Sequence, residues 1–125
     1  MERITPETDE LCSLNLERLT DLCAQETELF FRHQPTDARY CYELFRRAVF
    51  DREERAWELV YRQHLPLVQA WIHRHPSFSS TGEENQYFVN RAFEKMWLAV
   101  TPAKFEQFPD LKSLLRYLQI CVHSV

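Results

Sequence analysis

Residues 83–100 read EENQYFVNRAFEKMWLAV, and this stretch decides how the chain is read. On a helix, Phe88, Ala92, Met96 and Ala99 share one face, while Val89, Phe93, Trp97 and Val100 line the adjoining one. That stripe is wider than the apolar face an ordinary surface helix turns to its core. Between the apolar positions Glu84, Gln86, Asn90, Arg91 and Glu94 form a narrow polar ridge. The pattern predicts a helix at the centre of a bundle, buried on nearly all sides, with the ridge left for a partner to read.

The rest of the chain supports an all-α fold. Its 125 residues fit one domain, and 45% hydrophobic content with 14% aromatics argues against disorder. There is one glycine, Gly82, and no strand-like alternation bounded by turn residues. Apolar runs long enough to span a bilayer are absent, and the N-terminus (MERITPETDE) lacks the basic and apolar regions of a signal peptide. Cys12, Cys23, Cys41 and Cys121 are scattered on apolar helical positions without CxxC pairing. They read as reduced, buried thiols of a cytoplasmic protein rather than as a disulfide or zinc framework.

Charge divides the chain in two. Residues 1–38 hold nine acids against Arg3, Arg18 and Arg32, so 3 − 9 = −6. Residues 39–125 hold twelve Lys and Arg against ten acids, so 12 − 10 = +2, and the sum is the net charge of −4. The division predicts an acidic N-terminal helical extension over 1–38 and a mildly basic helical domain over 39–125. A solvated helix face accounts for the acids, and so does a leader that shields a basic surface from nucleic acid.

About five helices are expected. The first runs from Thr5-Pro6 to near Arg32 along Leu16, Leu19, Leu22, Cys23 and Phe30. HQPTD breaks it, because Pro35 disfavours helix at Gln34. Tyr40, Leu44, Phe45, Ala48 and Val49 make a second seam, and a third helix starts near Asp51 with a kink or short break expected at Pro66. HPSFSSTG (75–82) is a loop, with Thr81 a candidate cap for the fourth helix. TPAKFEQFP (101–109) is a second loop, and Asp110 caps a last helix along Leu111, Leu114, Leu115, Leu118 and Val122. That helix meets the end of the sequence with no stop signal, as if the chain were cut there.

Catalytic signals are weak. His73 and His75 lie two apart and point to different helix faces, and no HExxH accompanies them. One glycine cannot build a phosphate-cradling loop, and the serines of SFSST lack a nucleophile elbow. The reading is of a protein without catalytic residues, metal or cofactor.

The order of features is more informative than any single motif. LFRRAVFDREERAWELVYRQHLPLVQAWI, a polar loop, ENQYFVNRAFEKMW, a loop with Phe105 and Phe108, and SLLRYLQICVHSV follow one another. This order resembles conserved region two of bacterial RNA polymerase sigma factors, particularly the compact extracytoplasmic-function type, over residues 44–125. Arg47, Asp51, Ala56, Leu59, Tyr61, Pro66 and Val68 match its first part. Glu84, Phe88, Val89, Phe93, Lys95, Met96 and Trp97 match its docking helix, and Ser113, Tyr117 and Leu118 its last helix.

The resemblance implies a module that binds core RNA polymerase and engages promoter DNA. The ridge Glu84, Tyr87, Asn90, Arg91 and Glu94 would dock on the clamp helices of the beta-prime subunit. Lys104, Lys112 and Arg116 would meet phosphates of the single-stranded non-template strand at the minus-ten element. Phe105, Phe108 and Tyr117 would stack on its bases, each stack contributing about 1–3 kcal/mol. A regulator of the anti-sigma kind is a further partner that the family implies. This chain departs from the pattern where Gln86-Tyr87 replaces an acidic pair and Asn90-Arg91 replaces Gln-Glu. It departs again where Gln119 and His123 stand in place of basic residues. The alternative is a helical protein-interaction domain that kept the scaffold, lost promoter recognition and acts as a regulatory or adaptor module.

Overall fold

A computed structural model describes residues 8–74 and 82–123, with side chains described for 10–74 and 85–123. Residues 75–81 of the loop expected at 75–82, the cap Thr81 and the start at Thr5-Pro6 lie outside the described residues, and Gly82 belongs to a helix. The fold is all-helical: α1 (Thr8–Ser13), α2 (Leu16–Phe31), α3 (Arg39–Phe45), α4 (Glu54–Arg74), α5 (Gly82–Ala99) and α6 (Leu111–His123). A π-helical turn, Arg46–Phe50, prolongs α3, and a 3-10 turn, Phe105–Gln107, precedes α6.

The single N-terminal helix expected from the leucine seam is two. Asn15 interrupts it, and its Oδ1 accepts the Arg18 N–H at 2.7 Å, starting α2 with a side-chain cap. At the other end His33 adopts φ 58°, and Gln34 N–H reaches the Leu29 carbonyl at 2.9 Å while His33 N–H reaches that of Phe30 at 3.0 Å. That double bond is the reverse turn a glycine usually makes after a helix.

One core joins α2, α3, α4, α5 and α6. Helix α4 contributes Ala56, Val60, His64, Val68 and Ile72, a stripe repeating every four residues. Helix α5 adds Val89, Ala92, Phe93, Met96 and Val100, and α6 adds Leu114, Leu118, Cys121 and Val122. Leu19 and Cys23 of α2 lie in the same core, fully buried. Residues 1–38 therefore carry part of the core, and the acidic leader is packed on the basic body along α2. Its charge sits on the outer face, where Glu17, Asp21 and Glu28 are exposed.

The structure corrects further expectations. Helix α4 runs through Pro66 without a break. Pro66 is exposed, so its missing N–H leaves a carbonyl that faces water, while the buried stripe on the opposite side holds the helix together. Helix α4 also starts three residues later than expected, because Arg52 takes a left-handed φ of 56° and turns the chain between Asp51 and Glu54.

Another correction concerns the cysteines. Cys23 of α2 and Cys41 of α3 form a disulfide, their Cα atoms 4.7 Å apart. Cys12 is exposed and Cys121 is buried, and neither is in a disulfide. The bridged pair is 18 residues apart in sequence, a spacing with no local signature. Helices α2 and α3 bring it together by packing side by side.

Helix α5 packs against α4 and α6 along one broad face. It is not enclosed on nearly all sides as the sequence reading expects. Phe88 and Trp97 form half-buried shoulders, and Tyr87, Asn90, Glu94 and Leu98 stay exposed. The Trp97 ring stands 4.9 Å from Trp57, and the Arg52 guanidinium lies 4.1 Å over its other side. Arg52 also donates to the Trp97 and Val100 carbonyls at 3.2 and 3.0 Å, which satisfies backbone groups at the end of α5. Full burial of a tryptophan makes its removal cost about 3–5 kcal/mol, so half-buried Trp97→Ala is expected to cost about 2 kcal/mol in a urea unfolding experiment. A loss below about 0.5 kcal/mol, the usual surface range, would place Trp97 outside the packed layer.

Candidate functional site

Two surfaces carry the residues singled out in the sequence. The first is the ridge of α5. Asn90 and Glu94 are exposed, Arg91 is half-exposed, and Tyr87 projects with 57% of its surface free. Glu84 belongs to the helix, and its side chain is outside the described residues.

The ridge is internally bonded. Tyr61 of α4 donates its hydroxyl to Asn90 Oδ1 at 3.0 Å, and the Gln86 amide donates to both the Tyr61 oxygen and Asn90 Oδ1 at 2.9 Å. Arg91 pairs with Glu94 one turn on. These contacts position the side chains before any partner arrives. They also offset the charge of Arg91. An exposed ion pair of this kind contributes about 0–1 kcal/mol, so a partner can reopen it at small cost.

The sequence reading placed Gln86 in the ridge, but it missed Tyr61 as its support, and it missed Leu98. Leu98 is 67% exposed and lies one turn beyond Glu94, so Tyr87, Asn90, Glu94 and Leu98 form one outward line. Its spacing of four from Glu94 was the available signal. In a helix already rich in apolar residues, one more leucine does not stand out.

The second surface is the segment from Lys104 to Tyr117. Lys104, Lys112 and Arg116 are exposed, and Glu106 and Asp110 between them are exposed as well. The charges along the segment sum to 3 − 2 = +1. Asp110 caps α6 as expected, its Oδ1 accepting the Ser113 N–H at 2.8 Å.

The three aromatics are placed differently from one another. Phe105 is only 5% exposed and packs against Tyr42 and Phe50, with ring centroids at 5.4 and 5.9 Å. It is a core residue, and a base could reach it only by displacing it. Phe108 and Tyr117 are half-buried and meet edge to face at 5.4 Å. The Tyr42 hydroxyl donates to the Phe108 carbonyl at 2.6 Å and pins the segment to α3. Phe50, 42% exposed beside Phe105, is an aromatic that the sequence reading left out of this surface.

A largely buried ionic cluster lies apart from these residues, on α3 and the π-helical turn that prolongs it. Glu43 of α3 receives Arg46 Nε at 2.7 Å and Arg47 Nε at 2.8 Å. Arg47 also donates to the Leu11 and Cys12 carbonyls at 2.8 and 3.2 Å, so it closes the C-terminal end of α1. Burial acts to raise the Glu43 pKa, but the bonds from Arg46 and Arg47 outweigh it and hold the carboxyl below its ordinary value. No helix among the described residues is long and apolar enough to cross a membrane. Comparison with protein-family models, with curated proteins and with solved structures found no match to this chain.

Proposed function

We propose that this chain is a cytoplasmic, non-enzymatic transcription-initiation module like sigma region two. In this reading it docks on core RNA polymerase through the outer line of α5 and presents the Lys104–Arg116 segment to the non-template strand. The observation that carries the reading is one exposed ridge, Tyr87–Asn90–Glu94–Leu98, on a helix whose other face is core, with a cationic segment following it in the chain. Polar residues around exposed apolar anchors suit a protein interface better than a plain solvated surface.

Phosphate contact from Lys104, Lys112 and Arg116 supplies at most three charges, so log K falls by about two per decade of salt. Affinity of that order makes DNA engagement dependent on the polymerase. Phe108, Tyr117 and Phe50 are the rings placed to meet unpaired bases, since Phe105 is occupied in the core.

A second reading has its own support. The Tyr61–Gln86–Asn90 network and the Arg91–Glu94 pair use up much of the hydrogen bonding that the family's acids would offer to polymerase. That favours a protein-interaction domain with a different partner.

A pull-down of the whole chain with core polymerase separates the two. The expected result is capture that weakens when Leu98→Asp and Tyr87→Ala are combined. Arg91→Glu restores the family's charge, and it is expected to change affinity by roughly tenfold, the range of a single interfacial charge. No capture of a folded chain, or capture indifferent to all three changes, would favour the second reading.

A further inference from the structure

The disulfide does not stand alone. The sulfurs of Cys23 and Cys41 and one ring nitrogen of His64 all lie within 4.8 Å of one another. The three side chains come from α2, α3 and α4, and each is buried, at 0, 3 and 4% exposure. Buried sulfur and imidazole so arranged form a ligand set as well as a crosslink.

We infer that Cys23, Cys41 and His64 form a zinc site when the disulfide is reduced, so that one position in the core holds either a covalent bond or a metal. Some point lies within about 2.8 Å of all three atoms, zinc needs about 2.0–2.3 Å, and reduction frees the two sulfurs to rotate apart around the metal.

Charge selects the metal. Two thiolates and a neutral imidazole around Zn²⁺ sum to zero, whereas a monovalent thiophilic ion would leave a buried negative charge, which is costly in an apolar core. His64 is prepared for the neutral role. Its Nδ1 lies 2.9 Å from the Val60 carbonyl and donates to it, which leaves the lone pair on Nε2. Phe45 packs on the ring at 4.8 Å and fixes its plane. The Thr27 hydroxyl donates to the Cys23 carbonyl at 2.9 Å and lies 3.8 Å from the Cys41 sulfur.

The chemistry balances with a thiol as the reductant. Two external thiols reduce the Cys23–Cys41 bond, giving two cysteine thiols and one external disulfide, and Zn²⁺ then replaces the two thiol protons, which pass to solvent. In a reducing compartment the metal form prevails, and in an oxidising one the bridge does. Each form fastens α2 to α3, and the metal form adds α4. The inference is independent of the polymerase reading.

The test uses the full chain, reduced with a dithiol under nitrogen, freed of reductant and titrated with zinc alone. One zinc per reduced chain is expected, and none per oxidised chain. The Cys12→Ser and Cys121→Ser double variant is expected to keep the metal, whereas Cys41→Ser and His64→Gln should each weaken binding by at least about tenfold. Where either variant fails to fold, X-ray absorption on the zinc-loaded wild-type chain reads the ligands directly, and two sulfurs with at least one nitrogen are expected. Absence of stoichiometric zinc, equal binding by the oxidised chain, or a ligand shell without two sulfurs would each overturn the site.

Discussion

Glu43→Ala is expected to lower stability by about 3–5 kcal/mol, the cost of leaving a buried charge without its partner. The side chain is 4% exposed and receives hydrogen bonds from Arg46 and Arg47. Arg47 is 8% exposed and depends on that carboxylate for neutrality while it closes α1. The loss should appear as a lower urea midpoint at an unchanged slope. Removing both charges with Glu43→Leu and Arg47→Met should recover much of it, because a buried ion pair is often replaceable by apolar side chains of similar volume. Recovery should stop short of wild type, since the Leu11 and Cys12 carbonyls lose their donor. A Glu43→Ala protein within about 0.5 kcal/mol of wild type would mean that the cluster is hydrated and worth little.

The second large effect is a dependence of stability on pH in the oxidised, metal-free protein. His64 has a folded pKa near 4 against an ordinary value of 6.5, and burial is the dominant cause. Between those values the unfolded chain binds a proton that the folded one refuses. The contribution of neutral His64 is therefore complete above about pH 6.5 and is lost as pH falls toward 4. At about 1.36 kcal/mol per pKa unit the full change is about 3 kcal/mol. Below that window Glu43 takes over, because its depressed pKa makes its contribution disappear as the carboxyl is protonated. His64→Leu should flatten the curve between pH 6.5 and 4 and leave the more acidic limb. An unchanged slope in the variant would assign the titration to other groups.

The packing also changes how the acidic leader can be studied. Deleting residues 1–38 would remove Leu19 and Cys23 from the core together with the crosslink to Cys41. Any gain in nucleic-acid affinity would then be mixed with unfolding. Replacing exposed Glu17, Asp21 and Glu28 with Gln, Asn and Gln alters the charge and leaves the core intact.

Periodicity alone determined the helical class, the apolar face of α6, and the existence of an outward ridge on α5. Those features repeat every three or four residues, and nothing beyond the local chain is needed to see them. The caps at Asp110 and Asn15 are equally local, although at Asn15 the leucines on both sides masked the signal. Tertiary structure decided the rest. Whether Phe105 stacks on a base or fills the core depends on Tyr42 and Phe50, which lie far away in sequence. The Cys23–Cys41 bond depends on how α2 lies against α3, and Arg52 finds its carbonyls 45 and 48 residues downstream. His64 reads in the sequence as one histidine of five on a long helix. It became a neutral ring beside two sulfurs because three helices pack there, and distance in space, which chemistry requires, is set by packing rather than by spacing along the chain.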